Sequence, residues 1–355
     1  MPADRVVSER FRLQALCPES ARLCLKIERF CRQRLGFDPQ QPRKVLAAFS
    51  GGADSTALLV ILRCLAPRLN LTVCVAHLDH GLRPESADEA RSAEAFCQEL
   101  GLECRTARME VRTMAEERSI GLEEAGRILR YEFLERIRQE SGADIIATGH
   151  QLNDLAEDVL MRLMRGAGWP ALAGMSALDP ERHLCRPLLL TPRAALLDLL
   201  YSLDLSWHED LSNNALDTLR NRVRHEVLPF FIRENPDFMR RIASLWQLAD
   251  LDAFYWRELL DPLLEQVVPD GGGLMLPASI LNGAKPALRL RLYKRCLEKL
   301  GARQPLLVNL RRLDQAWQNR RSGVVLQFPG AKLAIVSRQG IVFEKQWLKY
   351  GNTHS

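Results

Sequence analysis

The feature that most constrains this 355-residue chain is a short loop between a predicted strand and a predicted helix. An apolar run from Lys44 to Phe49 ends in Ser50-Gly51-Gly52-Ala53-Asp54-Ser55, and a helical pattern of apolar residues then continues to Leu65. The N–H groups at the start of such a helix, together with its positive dipole end, favour phosphate, and glycine lets the backbone approach the phosphate closely. The loop therefore predicts a phosphate-binding turn at the end of a strand.

Two well-known phosphate-binding motifs do not fit this loop. It lacks Gly-Lys-Ser/Thr, which excludes a Walker A loop, and no G-x-G-x-x-G follows the strand, which excludes the dinucleotide fingerprint. The hydroxyls of Ser50 and Ser55 can donate hydrogen bonds to a phosphate. Asp54 is a candidate Mg²⁺ ligand, because that ion prefers hard oxygen atoms, and the alternative for Asp54 is a helix cap.

Strands and helices alternate through the first 226 residues, which predicts an α/β fold. Beyond the first strand, strands are predicted at Leu71–Ala76, Cys104–Ala107 and Asp144–Thr148, and helices at 86–100, Leu122–Gln139 and Asp154–Met164. This pattern is typical of a Rossmann-like parallel sheet with helices on both faces, in which ligands bind beyond the carboxyl ends of the strands. Unusual sequences follow three of these strands, beginning near Ser50, His77 and Gly149, so we expect the ligand site there.

The same pattern predicts the domain organisation. The predicted regions are a helical N-terminal extension (1–40), an α/β domain (41–226), a mainly helical substrate-binding domain that ends in short strands (227–345) and a tail (346–355). The boundary is placed near residue 226 because the alternation stops there. The turn at Asp270–Gly273 interrupts an otherwise helical stretch, and Val324–Phe343 is predicted to form the short strands.

Basic residues are concentrated in the predicted second domain. Between Leu281 and Arg321, eleven basic residues face two acidic ones, a net charge of +9, whereas the whole chain carries +5 and the remainder therefore −4. A basic block on a mildly acidic body favours a localised surface for a polyanion, and the alternative is a solvated helix face. Tyr293 and Trp317 lie within the block and can stack on bases.

Composition excludes several classes of protein. The hydrophobic fraction of 47% and charged fraction of 26% are ordinary for a globular chain with a core. Apolar runs such as Ala57–Leu62 are far shorter than the ~18 residues that indicate a membrane span. The nine cysteines include no C-x-x-C pair, so zinc-ribbon and iron–sulfur motifs have no usual anchor, and unpaired thiols fit a reducing compartment. We therefore expect a soluble, cytoplasmic protein with no membrane association.

Several motifs together resemble a known family. The phosphate loop is similar to the pyrophosphate loop (PP-loop) of the N-type ATP pyrophosphatase superfamily, whose members adenylate a carbonyl oxygen that an amine or sulfur nucleophile then displaces. Within that superfamily, the later motifs resemble those of tRNA(Ile)-lysidine synthetases over roughly residues 43–230. These motifs are His77–Arg83, Glu123–Tyr131, Gly149–Glu157, Arg165–Gly168, Arg186–Leu189, Asp210–Asn213 and Arg220–Arg224. Gln151, Leu155 and Asp158 depart from the family pattern.

The resemblance implies roles for individual residues. Asp154 and Glu157, three apart on one helix face, would hold the ammonium of lysine and draw off its proton; a solvated first helical turn is the alternative. Arg127 would bind the lysine carboxylate through its planar fork, with a surface ion pair as the alternative. The catalytic set is completed by Asp54, which would also hold Mg²⁺. The residues expected to bind the nucleotide are Ser50, Gly51, Gly52, Ala53, Asp54, Ser55 and His77.

The resemblance also implies a reaction with ATP and Mg²⁺ as cofactors. The C2 carbonyl oxygen of the wobble cytidine in an isoleucine tRNA with a CAU anticodon would be adenylated, and the ε-amine of L-lysine would then expel AMP. A homodimer is one arrangement left open.

Two alternative functions are also left open. One is a tRNA thiolase, for which Cys185 is the one cysteine that abuts a later motif, and the other is a non-catalytic tRNA-binding protein. Arg186, Arg220, Arg222 and Arg224 suit phosphate or tRNA-backbone contacts, or salt bridges between domains.

Overall fold

The structure is a computed structural model that describes residues 9–79, 86–108, 111–208, 218–301, 303 and 305–345. The chain divides into two compact units, Met1–Asp250 and Leu251–Ser355. This division lies further along the chain than the boundary predicted near residue 226. The reason is that a long helix beyond residue 226 still contributes Ile242 and Trp246 to the core of the first unit.

The first unit carries an α/β arrangement. Its elements, in chain order, are α1 (Pro18–Arg34), β1 (Arg43–Phe49), α2 (Ala53–Leu69), β2 (Leu71–Asp79), α3 (Ser86–Glu99), β3 (Glu103–Arg108), α4 (Val111–Arg118), α5 (Leu122–Ser141), β4 (Ile145–Ala147), α6 (Leu152–Met164), β5 (Leu178–Asp179), β6 (Leu184–Cys185), α7 (Arg193–Ser202), α8 (Leu219–Arg222), α9 (Leu228–Glu234) and α10 (Phe238–Leu264). A single π-helical turn, Val223–Val227, joins α8 to α9. Helix α10 continues into the second unit.

The sheet of the first unit has the strand order β3-β2-β1-β4-β6-β5. All neighbouring pairs are parallel except β5 and β6, which are antiparallel. From β1 the chain runs through β2 and β3 on one side, and then returns to β4 and β6 on the other. The predicted parallel α/β fold is therefore confirmed, and the loops after β1 and β4 lie at the position where the strand order reverses, where such sheets bind ligands.

Both faces of this sheet are covered, as the alternation of side chains along β1 shows. Val45, Ala47 and Phe49 belong to the apolar cluster that includes the core of α2. Leu46, on the opposite face, belongs to the cluster that contains Phe133 of α5. Because successive side chains of a strand point to opposite faces, a fully buried β1 requires helices on both sides.

Helix α2 differs in one respect from its prediction. The helical pattern was predicted to run to Leu65, but the helix continues through Pro67 to Leu69 and is capped by Asn70 in the left-handed region at φ +51°. Proline removes one backbone donor, and this close to the helix end that loss does not break the helix. Strand β2 follows directly, and it extends beyond Ala76 to Asp79.

The second unit has its own sheet and core. Its elements beyond α10 are β7 (Val268–Asp270), β8 (Gly273–Pro277), α11 (Ala278–Gly283), α12 (Pro286–Lys299), α13 (Leu307–Gln318), β9 (Val325–Phe328), β10 (Lys332–Val336) and β11 (Gly340–Lys345). The strands form an antiparallel sheet in the order β7-β8-β11-β10-β9. The predicted turn in a helical stretch is the turn of the β7–β8 hairpin, where Gly271 and Gly272 have φ +52° and +91°.

Some predicted features lie outside the described residues. These are His80–Glu85, Asp210–Asn213 and the tail from residue 346 onwards. Within the part of the chain that the structure describes, no helix combines the length and the apolar character needed to cross a membrane.

Candidate active site at the carboxyl edge of the parallel sheet

The loop between β1 and α2 is built for close approach by an anion. Gly51 has φ +80°, a conformation that favours glycine, and Gly52 precedes the first residue of α2. The Ser55 hydroxyl donates to the Gly52 carbonyl at 2.9 Å, and the hydroxyls of Ser50 and Ser55 are 3.1 Å apart. These bonds shape the loop from within. The first N–H groups of α2 have no acceptor inside the helix and are thus available to a phosphate.

The loop that follows β4 packs directly on the start of α2. A Cβ atom at Gly149 would lie 3.1 Å from backbone atoms of Asp54 and Ser55, so a side chain at this position would force that backbone to shift by a few tenths of an ångström. On the other side, the N–H of His208 donates to the Gly51 carbonyl at 3.0 Å. The phosphate loop is therefore held between the end of β4 and the segment after α7.

His77 ties the end of β2 to the end of β1. Its Nδ1 lies 3.0 Å from the Phe49 carbonyl oxygen, and because a carbonyl can only accept, Nδ1 carries the proton in this bond. The side chain is 4% exposed, directly beside the phosphate loop. We infer that His77 supports the loop at its base.

The two predicted carboxylates lie at the start of α6 and are both buried. Asp154 Oδ2 accepts from the Gln151 N–H at 3.1 Å, and the Gln151 side chain accepts from the N–H of Asn153, so the helix begins with a reciprocal cap. Asp154 is 8% exposed and Glu157 is 1% exposed. Buried carboxylates need partners, because an isolated charge out of water is costly.

Two arginines from the segment Leu219–Val227 supply those partners. Arg220 donates from Nη2 to Asp154 Oδ1 at 2.7 Å and from Nε to Glu157 Oε2 at 2.8 Å. Arg224 donates from Nε to Glu157 Oε1 at 2.7 Å. Burial works to lower the pKa of Arg220, but the two carboxylates outweigh it and raise that pKa above its ordinary value. The pair of carboxylates is thus a strong cation-binding site.

Asp54 lies close to this carboxylate pair. Burial and the negative charge of Asp154 raise the pKa of Asp54 to about 6, and the nearby Arg193 offsets this only in part. The Nε of Arg193 is 3.8 Å from Asp54 Oδ1. That buried oxygen nevertheless has no hydrogen-bond partner among the described residues. Asp54 therefore presents an unsatisfied oxygen atom beside the phosphate loop.

His150 is a neutral group at the same edge. Its Nδ1 lies 2.8 Å from the Thr148 hydroxyl. Burial lowers the pKa of His150 to about 4; the charge of Asp154 opposes this shift, whereas the charges of Arg130, Arg186 and Arg220 add to it. At neutral pH the imidazole is uncharged, and it lies within electrostatic range of these four charged side chains.

Arg127 is placed differently from the other predicted residues. Its side chain is 52% exposed on α5 and pairs with Glu124 at 3.5 Å, which is the surface ion pair that the sequence left open as its alternative. Arg130, one turn further along the same helix, is close enough to act electrostatically on His150. The structure therefore brings together the phosphate loop, His77, Asp54, Asp154 and Glu157, whereas Arg127 pairs with a glutamate at the surface.

Two of the three departures from the family pattern, Leu155 and Asp158, have ordinary structural roles, and the third, Gln151, caps α6. Leu155 is fully buried, and a Cβ at Gly174 would lie 2.6 Å from its Cδ1. Asp158 accepts from Arg162 Nε at 2.8 Å, one helical turn away. Neither side chain contacts the carboxylate pair through a hydrogen bond in the described residues. Sequence reasoning placed His150 in a family-like motif without giving it a role, and it missed Arg193 and His208, which only the folded chain brings to the site.

Comparisons with known proteins agree with this geometry. A sequence profile described as "PP-loop domain" matches residues 23–231. The tRNA(Ile)-lysidine synthase of Nitratidesulfovibrio vulgaris is 45% identical over 315 residues, which cover 84% of this chain and 91% of that protein. The tRNA(Ile)-lysidine synthase of Geobacter sulfurreducens is 36% identical over 80% of this chain and 60% of that protein, and the one from Enterococcus faecalis is 34% identical over 70% and 54%. The chain thus spans little more than half the length of the latter two.

A solved structure shares the fold at a greater distance. The U34-tRNA thiolase NcsA of Methanococcus maripaludis, solved with its 4Fe-4S cluster, superposes with a TM-score of 0.51 at 22% identity. The match covers 63% of this chain and 78% of that chain. At this level of identity the likeness shows a common fold and does not indicate a common activity.

Proposed function

The chain belongs to the tRNA(Ile)-lysidine synthase family, and from this membership we propose that it joins lysine to C2 of the wobble cytidine of an isoleucine tRNA with a CAU anticodon. The observation that carries the proposal is the close approach at Gly149, 3.1 Å from the backbone of Asp54 and Ser55. This contact fixes the turn that leads into α6, the helix that bears Asp154 and Glu157, beside the phosphate loop. A nucleotide phosphate and an amine substrate, which is bound as its cation and attacks once it is neutral, can therefore meet at one place.

The first step uses the phosphate loop. The C2 carbonyl oxygen of cytidine attacks the α-phosphorus of ATP, a P–O bond forms, and the bond to pyrophosphate breaks. The N–H groups at the start of α2 hold the phosphates, and preorganised donors of this kind stabilise the charge that develops on the departing group. The wobble base of a single-stranded anticodon loop can be splayed into such a pocket.

The second step uses the carboxylate pair. Asp154 and Glu157 already hold two guanidinium groups, so their geometry suits a cation such as the ε-ammonium of lysine. Asp154 is the proposed proton acceptor, because it is the member of the pair that lies close to Asp54 and the phosphate loop. The neutral ε-amine attacks C2, the new C–N bond forms, and AMP leaves with the oxygen.

The residues around Asp54 fit a magnesium ion. Mg²⁺ is usually held by one or two carboxylates together with substrate phosphates, and Asp54 Oδ1 is a buried oxygen without a hydrogen-bond partner in the described residues. Asp54 is therefore the proposed ligand. When bound, the ion would neutralise charge on the phosphates of ATP.

The two alternative functions have less support. Cys185 is fully buried, and burial raises the pKa of its thiol to about 12, so the thiol is neither accessible nor ionised at neutral pH. This disfavours a persulfide on Cys185 and, with it, the thiolase. A tRNA-binding protein without catalysis would not need two buried carboxylates, Asp154 and Glu157, and a half-buried, poorly paired Asp54 beside a phosphate loop.

The test is the incorporation of labelled lysine into an isoleucine tRNA transcript with a CAU anticodon, with and without ATP, alongside AMP release. We expect ATP-dependent labelling that disappears when the wobble cytidine is changed to uridine. AMP formation without lysine incorporation would leave adenylation standing and remove lysine as the nucleophile. No AMP with any tRNA would favour the binding protein, and loss of turnover in Cys185→Ser with intact ATP binding would favour the thiolase.

A further inference from the structure

Arg186 is a buried cation without a carboxylate partner in the described residues. It directly follows β6 and is 7% exposed. Its Nη1 donates to the Ser176 carbonyl at 2.7 Å, and its backbone N–H donates to the Ala177 carbonyl at 2.8 Å. Its Nε, also buried, has no hydrogen-bond acceptor among the described residues. A guanidinium in such surroundings is costly unless an anion joins it, so the residue indicates an anion subsite.

The position of Arg186 connects this subsite to the active site. The Thr148 N–H donates to the Cys185 carbonyl at 3.0 Å, which joins the end of β6 to the loop before α6. The Thr148 hydroxyl in turn contacts His150. The charges of Arg186 and of Asp154 both act on the His150 imidazole, in opposite directions. Arg186 and Asp154 therefore both lie within electrostatic range of the same imidazole.

The proposed reaction offers three kinds of anion, and two of them fit Arg186 poorly. The triphosphate belongs to the loop after β1, and β4 lies between β1 and β6 in the sheet, so the two strand ends are about 10 Å apart. A tRNA phosphodiester is part of a bulky backbone, whereas this guanidinium is almost completely buried. A small carboxylate on a slender substrate can reach such a group.

We propose that Arg186 binds the α-carboxylate of the lysine substrate and so selects an amino acid over a simple amine. The inference rests on the proposed function and assigns its carboxylate contact to Arg186 in place of Arg127. Lysine would lie with its ammonium on Asp154 and its carboxylate on the guanidinium, passing His150. The fork of arginine suits a carboxylate, since two parallel N–H groups can donate to its two oxygens.

The experiment compares lysine with lysinamide, in which an uncharged amide replaces the carboxylate. For the unmodified protein we expect kcat/KM to favour lysine by about 10- to 100-fold, the range of a charge-assisted hydrogen bond. Arg186→Gln should reduce kcat/KM for lysine by a similar factor, leave that for lysinamide nearly unchanged, and so bring the ratio close to one. Arg182→Gln, an exposed arginine nearby, is the matched control and should keep the original ratio.

Three outcomes would overturn the proposal. The quantity compared is the ratio of kcat/KM for lysine to kcat/KM for lysinamide. If Arg186→Gln leaves this ratio unchanged, Arg186 has only a structural role, and if the ratio falls to about one in Arg127→Gln instead, Arg127 binds the carboxylate. If Arg186→Gln does not fold, the same ratio is measured for Arg186→Lys, which keeps the charge but lacks the two parallel donors; a ratio equal to that of the unmodified protein would then also exclude the proposal. tRNA-dependent exchange of pyrophosphate into ATP, measured without lysine, tests the proposed function separately and should persist in every folded variant.

Discussion

At the scale of single residues, Asp54 combines a functional position with a cost to stability. It is half-buried, its buried Oδ1 lacks a hydrogen-bond partner in the described residues, and Asp154 lies close to it. A carboxyl group whose pKa is higher in the folded than in the unfolded state binds more protons when folded. The ionised form at neutral pH therefore destabilises the folded protein. Such strain is common at active sites, where it is offset elsewhere in the molecule.

The variant Asp54→Asn should therefore be more stable and inactive. Its free energy of unfolding should exceed that of the unmodified protein by about 1–2 kcal/mol at pH 7.5, since the ionised carboxylate is removed. The gain should shrink as the pH falls from 6 to 4, because Asp54 becomes protonated in the folded state with a pKa of about 6. Urea denaturation at several pH values measures the gain, and AMP release measures activity. A destabilised variant at pH 7.5 would contradict this account.

Glu157 is the central acceptor of the buried charge network. It is 1% exposed and accepts hydrogen bonds from both Arg220 and Arg224. Removing one member of a buried network leaves the others without partners, which costs more than the network contributes as a whole. The residues therefore act on stability as a unit.

A double-mutant cycle should reveal that unit. Glu157→Gln alone should lower the free energy of unfolding by about 3 kcal/mol, because two guanidinium groups lose their shared carboxylate. The double variant Glu157→Gln/Arg224→Met should lose less free energy of unfolding than the two single variants lose together. The difference, which is the coupling energy of the pair, should be about 1–3 kcal/mol. Thermal or urea unfolding of the four proteins supplies the cycle. Strictly additive losses would show that the two side chains do not interact in solution.

At the scale of elements, the site depends on how closely two strand-end loops approach one another. The turn after β4 lies against the N-terminus of α2 at Gly149, where a Cβ atom would lie only 3.1 Å from backbone atoms of Asp54 and Ser55. The same turn leads into α6, which begins with the cap formed by Gln151 and Asp154. A small shift at Gly149 would therefore displace the phosphate loop and the carboxylates relative to each other.

The variant Gly149→Ala should impair activity more than stability. Its Cβ must displace backbone atoms by a few tenths of an ångström, and misplacement of this kind reduces catalysis by about 10- to 100-fold. Gly126→Ala is the matched control, because the nearest atom to its new Cβ is Val111 Cγ1 at 3.7 Å. In the helix interior that alanine should add about 0.5–1 kcal/mol of stability and leave activity unchanged. Equal activity of both variants would exclude a tight approach at Gly149.

At the scale of the whole molecule, the basic block of the second unit separates into structural and exposed charges. Arg289 is buried and pairs with Asp314 at 2.6 Å, and Arg291 stacks on Trp256 at 3.7 Å from the ring centre. These two serve the unit itself. The exposed members are Lys285, Arg295, Lys299, Arg303, Arg311, Arg312, Arg320 and Arg321. They leave a cationic surface that suits a polyanion such as tRNA.

If this surface binds the tRNA backbone, affinity should fall steeply with salt. The double variant Arg311→Gln/Arg312→Gln should weaken tRNA binding and reduce the slope of log affinity against log salt by about 1 for each phosphate that is no longer neutralised. Arg22→Gln/Lys26→Gln, which removes the same charge from exposed positions on α1, is the control and should leave the slope unchanged. Filter binding across salt concentrations measures both. Equal slopes in all proteins would remove this surface from tRNA binding.

The sequence by itself determined the features that depend on neighbouring residues. A strand, two glycines and a helix follow one another within a few positions, so the phosphate loop can be recognised without a structure. Asp154 and Glu157 share a helix face because they are three residues apart. The alternation of strands and helices indicated the parallel sheet, since such strands need helical crossovers. The two shortest strands of that sheet, β5 and β6, are only two residues long, and the sequence pattern did not predict them.

Only the tertiary structure decided which distant side chains meet. Arg220 and Arg224 bind carboxylates more than sixty positions earlier in the chain, although their motif equally suited a contact with tRNA. Arg186 is buried without a carboxylate partner in the described residues, and Arg127 lies at the surface, yet both are arginines within family-like motifs. The physical reason is that burial and partner choice follow from the order of strands in the sheet. That order arises from contacts across the whole first unit, which no local pattern encodes.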